Sequence, residues 1–162
     1  MDNNSNFIKI FFSSTYSLQQ AKARLRLLRA YLMRSFYQER NIEQNEMQEI
    51  DPWLLSLGQD FYKEFTRDTV YKKLRAIEDA LAKTTPLVLY IAFDIPEEEV
   101  NNLGLWFRQN SQSNILFDIR HDPNLIAGCS LVWHGVYKDY SVRSRIEMNK
   151  QKILGNIKSL TK

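Results

Sequence analysis

The sequence has few of the residues that build disulfide scaffolds, tight turns or membrane spans. It contains one cysteine, so no internal disulfide can form and the chain gives no sign of a secreted, cross-linked scaffold. Five glycines and four prolines in 162 residues favour long regular elements. No apolar run approaches the roughly 20 residues of a membrane helix. The net charge of +3 is too small to indicate nucleic acid by itself.

The composition predicts a folded protein. With 44% hydrophobic and 12% aromatic residues, the chain can bury a core. The early segment "NFIKIFF" is short, is interrupted by Lys9 and follows Asp2 instead of basic residues, so it does not resemble a secretory signal peptide. We therefore expect one domain or two small ones in a reducing compartment.

The first half of the chain, before Pro86, has the apolar period of α-helices. The first stripe predicts a helix from residue 17 to 40 that Ser17 caps, and it consists of Leu18, Ala21, Leu25, Leu28, Leu32 and Phe36. Asp51 and Pro52 predict the cap and first residue of a second helix, which would bury Trp53, Leu54, Leu57, Phe61 and Phe65. A third stripe consists of Val70, Leu74, Ile77 and Leu81. It ends before Pro86, because a residue that precedes proline disfavours helical geometry.

The second half alternates strand and helix patterns. "LVLYIAFDIP" predicts a strand buried on both faces, and Pro96 with three glutamates predicts a helix start. "NILFDIR" and "NLIAGCSLVWHGVY" predict two further strands. Asp139 or Ser141 would cap a final helix, whose apolar side carries Val142, Ile146, Ile153, Ile157 and Leu160. The fold class is therefore α+β, with an N-terminal helical bundle (1–85) and a small C-terminal α/β domain of strand-helix-strand-strand-helix (86–162).

Two segments concentrate basic charge. Residues 17–40 carry six basic side chains and one acidic, and residues 138–162 carry seven and two. Such helices can bind nucleic acid through phosphates, lie on acidic partner helices, or remain solvated. The aromatic strand signature of an RNA-recognition module is absent, so a protein partner ranks first and a small nucleic-acid-binding module is the alternative. Arg24 and Arg29 are candidate contacts for such a partner.

Reactive side chains do not form a known catalytic or metal-binding pattern. His121, Cys129 and His134 follow no zinc spacing, and no glycine pair stands at a nucleotide-binding spacing. Glu97, Glu98 and Glu99 are consecutive and point to different sides of a helix. We expect no enzyme activity, metal or cofactor, with Cys129 a small buried hydrophobe. The rival hypothesis is an enzyme that uses His121, Cys129 or His134, and it fails if alanine at all three of these positions leaves assembly intact.

The segment "DPNLIAGCSLVWHGVYKDYSVRSRIE" resembles the C-terminal signature of the delta subunit of F-type ATP synthases, called the oligomycin-sensitivity-conferring protein in mitochondria. That family has Asp-Pro, a Leu-Ile-Gly-Gly strand, a second apolar segment, then Asp-x-Ser and a helix. The matching residues here are Asp122, Pro123, Leu125, Ile126, Gly128, Asp139 and Ser141. The resemblance covers about residues 86–150. Ala127 and Tyr140 depart from the pattern, and the first 85 residues lack the family's usual opening and are shorter than its six-helix bundle.

The resemblance implies a non-catalytic stator subunit that links the catalytic head of a rotary ATP synthase to its peripheral stalk. The implied partners are the N-termini of the alpha subunits and the b-type stalk helices, with no nucleic acid and with membrane association only through the complex, on the cytoplasmic, matrix or stromal side. Such a link must hold its partners with low off-rates, which favours apolar anchor residues over charge pairs. The candidates, each of which could instead be core, are Trp53, Phe61, Phe65, Trp106 and Phe107.

Overall fold

The computed structural model describes residues 6–37, 50–111 and 115–160. The chain forms two compact units and passes from the first to the second between Thr84 and Thr85. The first unit contains α1 (Asn6–Ser13), α2 (Leu18–Tyr37), α3 (Pro52–Ser56), α4 (Gly58–Lys63) and α5 (Val70–Lys83). The second contains β1 (Leu87–Ile91), α6 (Glu97–Ser111), β2 (Phe117–His121), β3 (Cys129–Trp133), β4 (Val136–Asp139) and α7 (Val142–Leu160). The predicted α+β class, helical first and with a small sheet second, is confirmed.

The helix starts of the first unit follow the predicted caps. Ser17 Oγ accepts from the Gln20 N–H at 3.1 Å and Gln20 Oε1 accepts from the Ser17 N–H at 3.4 Å, which is a capping box at the start of α2. Asp51 Oδ1 accepts from the Trp53 N–H at 2.8 Å, with Pro52 as the first residue of α3. Both predicted caps are confirmed. The predicted continuation of α2 from residue 38 to 40 lies outside the described residues.

Two features of the first unit differ from the prediction. The single helix expected after Pro52 is two short helices, because Gly58 has a φ of +77° that a continuous helix does not accommodate. The helix α1 was not predicted, yet its Phe7 and Phe11 are fully buried. The third stripe is confirmed, since Val70, Leu74, Ile77 and Leu81 are all buried on α5.

The second unit is a four-stranded mixed sheet of order β2-β1-β3-β4. The central strand β1 is parallel to β2, to which it is joined through α6, and antiparallel to β3. Phe107 on α6 lies with its ring 5.1 Å from that of Phe117 on β2, so α6 packs on this part of the sheet. Only the end residues of β1, Leu87 and Ile91, are buried. The prediction that β1 is buried on both faces was therefore wrong, since its three middle residues are partly exposed.

The segment predicted as one strand, "NLIAGCSLVWHGVY", holds more structure than expected. Pro123–Leu125 is a 3-10 turn, and two antiparallel strands, β3 and β4, follow it. Trp133 pairs with Val136 around a two-residue turn in which His134 (φ +48°) and Gly135 (φ +78°) are both left-handed, the geometry of a tight hairpin turn. The domain thus has one more strand than predicted. None of the described helices is long and apolar enough to cross a membrane.

Candidate partner-binding surface

The start of α7 is held by the two polar residues that the sequence offered as alternatives. Ser141 is the N-cap, since its Oγ accepts from the Ser144 N–H at 3.1 Å. Asp139 lies two residues before this N-cap, and its Oδ1 accepts from the Ser141 N–H at 2.8 Å. The hydrogen bonds from the Ser141 side chain and backbone lower the pKa of Asp139, because they favour the ionised carboxylate. The direction in which α7 leaves the sheet is therefore set by local hydrogen bonds.

A glycine lets the loop before β3 lie directly against this helix start. The Val142 N–H donates to the Ala127 carbonyl and the Tyr140 N–H to the Cys129 carbonyl, both at 2.9 Å. Gly128 lies between these two acceptors with a φ of +85°, and a Cβ there would stand 2.7 Å from the Tyr140 carbonyl oxygen. Only glycine fits both the conformation and the space. The motif residues thus build a junction between β3 and α7.

The same loop holds one residue in a strained conformation. Asp122 caps the 3-10 turn through the Asn124 N–H at 3.0 Å, Pro123 begins it, and Leu125 is buried. Ile126 follows with φ +65° and ψ −56°, and the Ala127 N–H closes a γ-turn on the Leu125 carbonyl at 2.7 Å. A β-branched residue at positive φ is strained by about 1–3 kcal/mol. The side chain of Ile126 is 69% exposed beside the start of α7.

The apolar row of α7 is exposed in the second unit. Val142, Ile146 and Ile153 lie on one side of the helix, and each is more than a third exposed. The periodicity correctly predicted that they share a side, but it could not tell whether the chain itself covers that side. An exposed apolar row of this extent on a helix indicates a protein or membrane contact. We call this side of α7 the α7 face.

Basic residues flank the α7 face. The helix Val142–Leu160 contains five basic residues and one acidic one, Glu147. Arg143 pairs with Glu147 at 3.3 Å, and both are exposed. Arg145, Lys150 and Lys152 are also exposed. The surface therefore combines an aliphatic row with positive charge, which suits an acidic apolar partner.

The predicted anchors occupy very different environments. Phe61 is fully buried and Trp53 nearly so, and Phe65 is buried as well, which places all three in the core of the first unit. Phe107 is half-buried against Phe117. Only Trp106, at 57% exposed, presents its ring to a possible partner. Periodicity alone could not separate these cases, because each aromatic lies at a position compatible with a buried face.

The two predicted arginines are both engaged within the first unit. Arg24 Nη1 donates to the Ser14 carbonyl at 2.5 Å and to Thr15 Oγ1 at 3.1 Å, and its guanidinium lies 5.1 Å from the Trp53 ring centroid. It therefore joins α2 to the preceding loop and to α3. Arg29 forms an ion pair with Glu78 on α5, and half of its side chain remains exposed. Of the two arginines, Arg29 therefore has more of its side chain accessible to a partner.

The reactive residues lie apart from one another. Ile91 on β1 pairs with His121 on one side and Cys129 on the other, so these two residues are two strand spacings apart, roughly 10 Å. That separation prevents a thiol–imidazole hydrogen bond. Cys129 is half-buried, less than predicted, and His134 lies in the hairpin turn. Among residues 6–37, 50–111 and 115–160, no three His, Cys, Asp or Glu side chains are grouped to hold a metal ion.

Comparison with known proteins shows a similarity over part of the chain. The chain is 29% identical over 79 residues to the ATP synthase subunit delta of Dichelobacter nodosus (strain VCS1703A). This match covers 49% of the present chain and 41% of that relative, so less than half of the relative's length is represented. No family model matches the chain. The similarity supports the family resemblance in part, over about half of the chain.

Proposed function

We propose that the chain is a non-catalytic peripheral-stalk subunit of a rotary F-type ATP synthase. The observation that carries the proposal is the junction of Gly128, Asp139 and Ser141. These residues of the family-like motif hold the start of α7, a helix with an exposed apolar face. The similarity to a delta subunit agrees with this function. A motif that serves only to orient a docking helix suits a mechanical link and supplies no group for catalysis.

In this proposal the α7 face binds the end of a b-type stalk helix. The first unit, a helical body with the exposed basic side of α2, binds the N-termini of the alpha subunits at the head. The protein then stays at the membrane only through the assembled complex, on the side where the catalytic head lies. Its mechanical task is to resist rotor torque, so that proton flow is coupled to ATP synthesis.

The first test is an affinity purification of the tagged chain from gently solubilised membranes of its own organism, at moderate salt. Recovery of the alpha, beta and stalk subunits together is the expected result. Recovery of nucleic acid with its binding proteins, and of no synthase subunit, would contradict the proposal. Binding that weakens steeply with salt would accompany that outcome.

A second test separates the two proposed contacts. The double variant Ile146→Asp/Ile153→Asp places carboxylates on the α7 face, whereas Met148→Asp places one on the opposite side of the same helix, where Met148 is 73% exposed. With purified components, we expect the double variant to retain the isolated catalytic head and lose the soluble segment of the stalk helix. Met148→Asp should retain both. Equal stalk binding by the two variants would show that α7 is not the stalk contact.

A further inference from the structure

The α7 face follows a seven-residue repeat. Ile146 and Ile153 stand seven residues apart, as do Val142, Asn149 and Asn156. These are the a and d positions of a heptad, which form a narrow seam along a helix. A helix that lies in a membrane surface instead presents a broad apolar face with aromatic residues. The helix α7 contains no aromatic residue. The exposed apolar residues of α7 outside the seam are Met148, Leu154 and Ile157, and none of them is aromatic. The pattern therefore favours a partner helix over a lipid surface.

The residues beside the first two heptads of this seam all carry positive charge, whereas the third heptad has Ile157 and Ser159 at these positions. Arg143 and Lys150 occupy e positions, Arg145 and Lys152 occupy g positions, and all four are exposed. Side chains at e and g lie next to those of the partner helix and set partner choice. Arg143 has the local partner Glu147, which lies away from the seam. Arg145, Lys150 and Lys152 remain exposed to meet a second helix.

A second copy of this chain does not suit the seam. In a parallel pair of α7 helices, Arg145 of one copy would lie beside Lys150 of the other, on both sides of the seam. In a fully overlapped antiparallel pair, e would face e and g would face g, so Lys150 of one copy would lie beside Lys150 of the other and Lys152 beside Lys152. Like charges at these positions repel. The charge pattern thus acts against self-association and selects a different helix.

We propose that α7 forms a heterotypic coiled coil with an acidic helix, whose e and g positions carry Glu or Asp beside its own apolar seam. Asn149 and Asn156, at d positions, fix the register of the pair. The proposal rests on the proposed function, because the acidic helix is the end of a stalk helix in that assembly. It adds the charge, the repeat and the register of the partner.

The experiment titrates the full chain with a synthetic 28-residue peptide that has Ile and Leu at its a and d positions, Asn at the d positions opposite Asn149 and Asn156, and Glu at e and g. A matched peptide carries Lys in place of every Glu. Fluorescence anisotropy of the labelled peptide measures the Kd at low and high salt. We expect the Glu peptide to bind and the Lys peptide not to bind, with affinity for the Glu peptide falling as salt screens the flanking charges.

Variants test whether the seam itself is used. Ile153→Ser should weaken binding of the Glu peptide about tenfold or more, because it removes from the seam an aliphatic side chain that the partner helix would cover. Met148→Ser, on the opposite side, should leave the Kd within about twofold. Arg145→Glu/Lys152→Glu should weaken the Glu peptide and admit the Lys peptide. All the altered side chains are more than a third exposed in the free chain, and helical circular dichroism checks that each variant is folded.

Three outcomes would overturn the proposal. Equal affinities for the Glu and Lys peptides would show that charge does not select the partner helix. Concentration-dependent dimerisation that Ile153→Ser abolishes would show that the α7 face binds a second copy of this chain. Binding to vesicles with anionic lipid, without binding to either peptide, would make a membrane surface the occupant. If the Glu peptide binds but affinity purification recovers no synthase subunit, the coiled coil stands and the proposed function fails.

Discussion

The sharpest structural prediction concerns Gly128→Ala. The new Cβ would lie 2.7 Å from the Tyr140 carbonyl oxygen and 3.1 Å from the Ser141 Cα, and both are backbone atoms that cannot rotate away. A left-handed conformation costs a non-glycine residue about 1–2 kcal/mol, and overpacking against fixed atoms adds about 1–3 kcal/mol. We therefore expect the free energy of unfolding to fall by about 3 kcal/mol, with the junction between β3 and α7 opening first.

Gly135→Ala is the matched control. Gly135 has a similar φ of +78°, but a Cβ there meets nothing within 4 Å, so only the conformational cost of about 1–2 kcal/mol applies. Urea unfolding followed by tryptophan fluorescence reports on the second unit through Trp106 and Trp133. The difference between the two variants isolates the steric contact with Tyr140. Equal losses of stability in both variants would refute the claim that Gly128 is required for close approach of the backbone.

Three further predictions concern other parts of the molecule. Ile126→Gly should raise the thermal midpoint, since it relieves a strained γ-turn and loses little buried area, and a lowered midpoint would contradict the strain. Asp139 has a lowered pKa in the folded state, so its contribution to the free energy of unfolding is present above pH 3.8 and is lost as the pH falls through that lowered pKa. Urea unfolding at a series of pH values should therefore show that the difference in stability between the protein and Asp139→Asn disappears in this range. A difference that does not change with pH would contradict the prediction. Phe61→Ala should lower the free energy of unfolding of the first unit, measured in urea, by about 3–5 kcal/mol. Leu55→Ala should lower it little, because Leu55 is 67% exposed. Similar losses in the two variants would contradict the burial of Phe61.

The capped helices were the most predictable part of the fold. Ser17, Asp51 and Ser141 can satisfy backbone N–H groups that lie within a few residues along the chain, so their effect depends on local geometry alone. The hairpin of β3 and β4 was missed although His134 and Gly135 separate two apolar segments. A glycine-containing two-residue turn is a signal that could have found it.

The candidate surface was predictable only in part. The stripe of Val142, Ile146 and Ile153 is visible as a period, but its exposure is a property of what the rest of the chain covers. Among the aromatic candidates, Phe61 is buried and Trp106 is exposed, although both stand in helical patterns. The sequence pattern identifies residues that share a side of a helix and does not identify what lies opposite them.

The amino-acid sequence by itself determined the change from helices to strands at Pro86, the helix caps, the positive charge of α7 and the spacing of its apolar row. Each of these depends on neighbours within a turn or two of the chain. The tertiary structure alone decided that β1 lies between β2 and β3, that Gly128 meets the backbone of Tyr140, and that Phe61 fills a core. The reason is physical: burial, strand order and close backbone approach arise from segments distant in sequence, and only the folded chain brings them together.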